Sequence, residues 1–199
     1  LSSLSIPDLV REVASAERHR AYAAEKRLIA LGEPAVEEIL QVIEEQKADG
    51  RHRKSLCLVL DKIGSPSPND RLLRLFTATS EIDTREGILC ALHDRHEPEV
   101  RRLHEALLAD DEEVYRGMAI LSLAETKDPA YLKRAIALLE DPSPGVRECA
   151  VKGIQKYPSI TEEERQALLK HFKKETDEGV REELLEMSTR LDLPFRSAP

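Results

Sequence analysis

The hydrophobic positions of this chain follow a helical period, and the pattern recurs about every thirty residues. In each copy an arginine is followed three, four and seven positions later by apolar residues, as Arg147 is by Ala150, Val151 and Ile154; only Ser188 interrupts the last copy. Such positions share one face of an α-helix. The arginines, spaced by 32, 31, 31 and 34 residues, are Arg53, Arg85, Arg116, Arg147 and Arg181. Nearly fixed spacing predicts an internal helical repeat.

A further copy precedes these five. The stretch 21–32 aligns with 53–64 after a slip of one residue, with Arg20 in the place of the recurring arginine. Both stretches end on a glycine, Gly32 and Gly64, directly after the last apolar position. Glycine at that point is typical of a helix that ends in a left-handed cap.

A second amphipathic run follows each of these helices after a short break. Pro98, for example, precedes the apolar Val100 and Leu107, and proline is tolerated in the first turn of a helix but not in its interior. Thr161 with Glu164 is a capping-box pattern that marks another second helix. Acidic residues before the first helices are expected to cap their exposed N–H groups.

The unit is therefore helix–turn–helix–turn, and it buries its apolar face only when neighbouring units stack. We predict an all-α protein, a right-handed α-solenoid of about six stacked helical hairpins. A single domain over 1–191 would hold them, after a short leading helix near 7–14 and before a frayed tail at 192–199. The predicted repeats are 17–48, 49–79, 80–109, 110–140, 141–175 and a partial repeat at 176–191.

The segment 141–154, Asp-Pro-Ser-Pro-Gly-Val-Arg-Glu-Cys-Ala-Val-Lys-Gly-Ile, resembles a HEAT repeat of the short kind related to bilin-lyase repeats. Residues 177–181 repeat its opening, and 31–40 resemble the hinge and second helix of the same unit. The resemblance extends over 17–190 and implies a HEAT-like superhelix, with first helices on the convex side and second helices lining the concave surface. The second and third copies depart from the pattern, because other residues replace the acidic–valine step before the arginine.

The recurring arginines are interpreted as a structural ladder. An arginine at this position can reach a carboxylate at the start of its own or the next repeat, and its rigid fork suits bidentate pairing. The ladder residues are Arg53, Arg85, Arg116, Arg147 and Arg181. An exposed row that binds anions is the weaker alternative, since the resemblance places these helices on the convex side.

The composition of the chain argues against several classes of function. Thirty Lys and Arg against 38 Asp and Glu give a net charge of −8, which argues against a nucleic-acid binder recognised by bulk basicity. Aromatic residues make up only 4% and tryptophan is absent, which disfavours base stacking. No apolar run approaches the roughly 20 residues that a membrane helix needs. Cys57, Cys90 and Cys149 lie far apart in helical patterns, which indicates reduced thiols and a cytoplasmic protein.

The sequence carries no motif for catalysis, neither a glycine-rich phosphate loop, HExxH, Cys-x-x-Cys nor a nucleophile elbow. His93, His96 and His104 lie close together, and two of them form His-Glu pairs of the kind that HEAT-like di-iron hydroxylases carry. The two pairs fall in one repeat, however, about 12 Å apart along a helix. We therefore predict no catalytic residue, no metal site and no cofactor.

The outward residues of the second helices form a charge pattern, acidic in the first repeat and basic from the second onward. The basic residues are Arg71, Arg74, Arg101, Arg102, Lys133, Arg134, Arg165, Lys170 and Lys173. This pattern favours a non-enzymatic protein–protein interaction scaffold that binds an acidic segment of a partner along its concave face. The alternatives are nucleic-acid binding through the same stripe, or a HEAT-like enzyme of the bilin lyase, DNA glycosylase or metal-dependent hydroxylase type.

Overall fold

The computed structural model describes residues 4–45, 48–64 and 68–191, and these residues form twelve α-helices and no strand, so the all-α prediction is confirmed. The helices are α1 (Ile6–Glu12), α2 (Arg18–Leu31), α3 (Glu33–Glu44), α4 (Gly50–Ile63), α5 (Asn69–Ala78), α6 (Ile82–Ala91), α7 (Pro98–Leu107), α8 (Glu113–Glu125), α9 (Pro129–Leu138), α10 (Pro144–Ile154), α11 (Glu162–Lys174) and α12 (Glu178–Arg190). None of these helices combines the length and apolar character needed to cross a membrane. The predicted tail at 192–199 lies outside the described residues.

Side-chain caps fix where several helices begin. The predicted capping box of α11 is confirmed, with the Glu164 N–H donating to Thr161 Oγ1 at 3.3 Å and the Thr161 N–H donating to Glu164 Oε2 at 2.7 Å. A second capping box, between Ser5 and Asp8, opens α1, which begins and ends slightly earlier than predicted. The carboxylate of Asp49 caps α4.

The two predicted glycine caps differ in their backbone conformation. Gly64 has φ 70° and ψ 18°, the left-handed cap expected at the end of α4. Gly32 also has a positive φ, 67°, but its ψ of −137° lies outside the left-handed helical region. With that conformation Gly32 is both the C-cap of α2 and the N-cap of α3, so a single residue separates the two helices.

The chain divides into two compact units, and the division falls between His93 and Asp94. The first unit holds α1 to α6. Its helix α4 packs against α2, α3 and, most closely, α6. The close approach of α4 and α6 requires Gly87, because a Cβ there would lie 2.8 Å from the Cα of Lys54. Leu56 and Ile88 are completely buried in this layer.

The second unit holds α7 to α12 and stacks helical hairpins as the repeat predicts. The first helices α8, α10 and α12 pack in succession, and the second helix α9 packs against α8, α10 and α11. Between the layers lies a continuous core whose fully buried members include Ile120, Ala150, Leu168 and Leu184. In this unit the ladder arginine is the fourth residue of every first helix.

Candidate binding surface

The ladder arginines of the second unit connect successive turns. The guanidinium of Arg116 donates through Nε and Nη2 to the carboxylate of Asp141, both at 2.8 Å. Arg147 donates in the same way to Glu175, at 2.7 and 2.8 Å, while its Nη1 donates to the backbone carbonyl of Asp141 at 3.0 Å. Arg181 Nη1 donates to the carbonyl of Glu175 at 2.9 Å. Each acidic residue therefore accepts one arginine at its carboxylate and the next at its carbonyl.

The ladder arginines of the first unit are also held within the chain. Arg53 is 3% exposed and forms an ion pair with Glu81, although its Nε and Nη1 have no hydrogen-bond partner among the described residues. Arg85 donates to the carbonyl of Thr79 at 2.8 Å and lies 4.9 Å from the centre of the Phe76 ring. These side chains therefore face the protein, and they do not form an exposed anion-binding row.

Glu175 is the most heavily hydrogen-bonded carboxylate of the ladder, and its side chain is 2% exposed. Besides Arg147, it accepts the backbone N–H of Asp177 at 2.9 Å and lies 2.8 Å from Nε2 of His171. Burial alone raises the pKa of Glu175, but the hydrogen bonds from Arg147, Asp177 and His171 outweigh it and lower the pKa to about 2. The carboxylate is therefore charged in the folded protein throughout the ordinary pH range.

The structure separates the nine predicted surface cations into two groups, and Arg71 belongs to the first. Its Nε donates to Glu44 at 2.6 Å and its Nη1 to Glu37 at 2.7 Å. The hydrogen bond from Arg71 lowers the pKa of Glu44. Two acidic residues of α3 are thus paired with the first basic residue of α5, where the sequence suggested two separate regions of opposite charge.

Arg101 and Arg165 are half-buried and also have partners within the chain. Arg101 donates to the carbonyl of His96 at 3.3 Å, and Arg165 lies 3.4 Å from Glu162. The remaining six cations are exposed, and none has a carboxylate oxygen within 4.0 Å among the described residues. These six are Arg74 in the first unit and Arg102, Lys133, Arg134, Lys170 and Lys173 in the second.

Three of the exposed cations lie on the solvent-facing side of successive second helices of the second unit. Each lies two residues after a completely or almost completely buried apolar residue, so each points away from the core. The pairs are Val100 and Arg102 in α7, Leu132 and Arg134 in α9, and Leu168 and Lys170 in α11. We call Arg102, Arg134 and Lys170 the cation row; sequence reasoning named each of its members.

The helices that carry the cation row are neighbours. Tyr131 of α9 donates its hydroxyl to Glu105 of α7 at 2.6 Å, and α9 packs against α11. Carboxylates also lie on these helices: Glu105 accepts from Tyr131, and Glu162 accepts from Gln166 at 2.6 Å. Among the described residues, none of these carboxylates forms an ion pair with a member of the cation row.

The histidines and cysteines are the remaining candidates for chemistry. His104 is 1% exposed, with Nδ1 at 3.0 Å from the hydroxyl of Ser122, whereas His96 is exposed. Within the described part of the chain, no three His, Cys, Asp or Glu side chains are placed to hold a metal ion. The three cysteines are free thiols, and burial raises the pKa of Cys57 to about 12.

Comparison with known proteins supports the repeat inferred from the sequence. Residues 100–188 match the family model described as HEAT repeats, which confirms the resemblance over that part of the chain. No curated protein matches the chain.

Three solved structures are similar to the chain. An engineered protein has a TM-score of 0.53 at 13% identity, covering 96% of this chain and 97% of that one. A designed armadillo repeat protein in complex with the peptide (KR)4 has a TM-score of 0.50 at 15% identity, covering 94% and 99%. The complex of CpcE and CpcF of phycocyanin lyase from Nostoc sp. PCC7120 gives 0.46 at 18% identity, covering 92% and 97%. At these identities the first two likenesses show a shared helical-repeat fold.

Proposed function

We propose that this chain, whose residues 100–188 match the HEAT-repeat model, is a non-enzymatic scaffold that binds a protein partner through an acidic segment. The proposed binding surface is the solvent-exposed side of the second helices α7, α9 and α11. Stacked repeats present extended surfaces of this kind.

The observation that carries this proposal is the contrast between the two sets of cations in the second unit. Arg116 and Arg147 on the first helices each hold a carboxylate in a bidentate pair and a backbone carbonyl. The cation row on the second helices is exposed and has no carboxylate within 4.0 Å in the described part of the chain. Charge that the fold does not use for its own stability is available to a partner, and it would set the orientation and rate of association.

We also propose that the protein is located in the cytoplasm, which is a reducing compartment. Cys57, Cys90 and Cys149 are all free thiols. Burial raises the pKa of each of them, which keeps the thiols protonated and poorly reactive.

Affinity capture with two charge-reversal variants tests the proposal. The first variant, R102E/R134E/K170E, reverses the cation row. The second, R51E/K62E/K127E, reverses three exposed cations on or directly after the first helices α4 and α8; among the described residues these also have no carboxylate within 4.0 Å, and the variant has the same net charge. We expect the wild-type chain and the second variant to capture the same proteins, quantified by mass spectrometry, and the first variant to lose most of them.

Two other outcomes would contradict or replace the proposal. If the R102E/R134E/K170E variant, with unchanged helix content by circular dichroism, captures every partner at the wild-type level, the proposed surface is wrong. A nucleic acid is the competing ligand, because phosphates also pair with arginine and lysine. Duplex DNA that binds the wild-type chain, weakens with salt and depends on the cation row, without row-dependent protein capture, would replace the proposal.

A further inference from the structure

We infer that a cavity between α1 and α2 of the first unit binds an apolar side chain of a protein partner with a carboxylate beside it. The cavity has a volume of about 140 Å³. Its apolar walls are formed by Leu4, Leu9, Ala23 and Ala24. No member of the cation row lines this cavity, so the inference goes beyond the proposed function and is independent of it.

The volume of the cavity fits a single side chain. Sites for small molecules and cofactors usually measure about 300–1,000 Å³ and enclose most of the ligand. An engineered apolar cavity of about 150 Å³ in another protein, by contrast, binds benzene, which has the size of one aromatic side-chain ring. The cavity between α1 and α2 therefore accepts one apolar group of a larger ligand, and a protein segment carries groups of this kind.

Three charged residues complete the lining of the cavity, and one of them has no partner. Arg20 donates to Glu12 Oε2 at 3.0 Å, so these two charges compensate each other. Arg27 is exposed and has no carboxylate within 4.0 Å among the described residues. A carboxylate next to the apolar group of the partner would pair with Arg27, which makes an acidic segment the complementary ligand.

The helix that carries Arg27 is the least buried of the first helices. Only Ala24 and Leu28 of α2 are buried, whereas α4, α6, α8, α10 and α12 each bury between four and seven residues. Two large apolar side chains of α2 are exposed, Tyr22 at 58% and Leu31 at 44%. Because Leu31 lies four residues after Arg27, both are on the same side of the helix. A partner segment anchored in the cavity would therefore continue along an apolar and basic surface.

Three blocked dipeptides test the inference with the full chain. Acetyl-Leu-Glu-amide carries the apolar group and the carboxylate, acetyl-Gly-Glu-amide lacks the apolar group, and acetyl-Leu-Gln-amide lacks the charge. We expect acetyl-Leu-Glu-amide to shift the backbone amide NMR signals of Ala23 and Ala24 with a dissociation constant in the millimolar range. The dipeptide without the apolar group is expected to bind about tenfold more weakly, and the uncharged one about threefold to fivefold more weakly.

Substitutions at exposed positions of α2 locate the binding site. Ala23→Leu fills the cavity from its rim and is expected to weaken acetyl-Leu-Glu-amide about tenfold, measured on the amide of Ala24. Ala30→Leu, an exposed substitution outside the cavity, is expected to leave the affinity unchanged. Arg27→Gln is expected to weaken acetyl-Leu-Glu-amide about threefold to fivefold without affecting acetyl-Leu-Gln-amide, and Lys26→Gln to affect neither.

Each other result overturns the inference. Equal affinity for the three dipeptides, unchanged signals of Ala23 and Ala24, or an Ala23→Leu variant that binds as the wild type does would each show that the cavity is not the site. Shifts of these signals on dilution of the chain alone would show that a second copy occupies the cavity. The R102E/R134E/K170E variant is expected to bind acetyl-Leu-Glu-amide as the wild type does, so a failure of the inference leaves the proposed function standing.

Discussion

Replacing Arg147 by methionine is expected to lower the free energy of unfolding by about 3–5 kcal/mol. Methionine keeps most of the side-chain volume but removes both hydrogen bonds to Glu175, at 2.7 and 2.8 Å. The Glu175 side chain, only 2% exposed, then keeps its charge without the guanidinium that compensates it. Breaking a buried ion pair on one side costs much more than exchanging the whole pair for apolar groups. Urea unfolding followed by circular dichroism measures the loss.

Lys152 provides the matched control on the same helix. It pairs with Glu148 at 2.5 Å and Glu183 at 3.5 Å, but its side chain is 42% exposed. Exposed ion pairs contribute about 0–1 kcal/mol, so Lys152→Met is expected to lower the free energy of unfolding by less than about 1 kcal/mol. Equal losses in the two variants would mean that the buried ladder does not stabilise the second unit more than surface pairing does.

Acid is expected to remove the stabilisation that Glu175 supplies. Its pKa falls from the ordinary 4.5 to about 2 on folding, so the unfolded chain binds the proton more tightly than the folded one. The stabilisation is therefore fully present above the unfolded pKa and is lost as the pH falls from about 4.5 through about 2. A shift of this size corresponds to about 3 kcal/mol.

The difference in unfolding free energy between the wild type and Glu175→Gln isolates this contribution, because the other carboxylates titrate in both proteins. We expect the difference to be constant near neutral pH and to shrink by about 3 kcal/mol as the pH is lowered to about 2. A difference that stays constant over that range would show that the Glu175 carboxylate is not selectively stabilised in the folded protein.

The helical repeat could be predicted from the sequence because its signals are local. The apolar periodicity, the cap formed by Thr161 and Glu164, and the prolines at helix starts all act within one or two turns of the chain. They determine which residues form helices and which face of each helix is buried. The recurring arginine could be found for the same reason, since its position within each first helix is fixed.

The contacts between repeats could not be obtained in the same way. The pattern of polar positions in one helix does not show which neighbouring helix lies beside it. Arg71 was therefore predicted to be a surface cation, although Glu37 and Glu44 on α3 accept hydrogen bonds from it. A carboxylate acceptor at the start of the next repeat was expected, and Asp141 is one, but the backbone carbonyls that also accept from the ladder were not. Both Asp141 and Glu175 lie six residues before the next ladder arginine, whose side chain donates back to their carbonyls, and this constant offset was the available signal.

Zero-length carbodiimide cross-linking of a captured partner to the full chain tests the central claim most directly, because it joins an amine only to a carboxylate in contact with it. The exposed amines of Lys133, Lys170 and Lys173 lie on the proposed surface, whereas Lys127 and Lys156 lie at the ends of first helices. The account predicts cross-links from the first three lysines to aspartate or glutamate side chains of the partner, identified by mass spectrometry. Cross-links that arise only from Lys127 and Lys156 would contradict it.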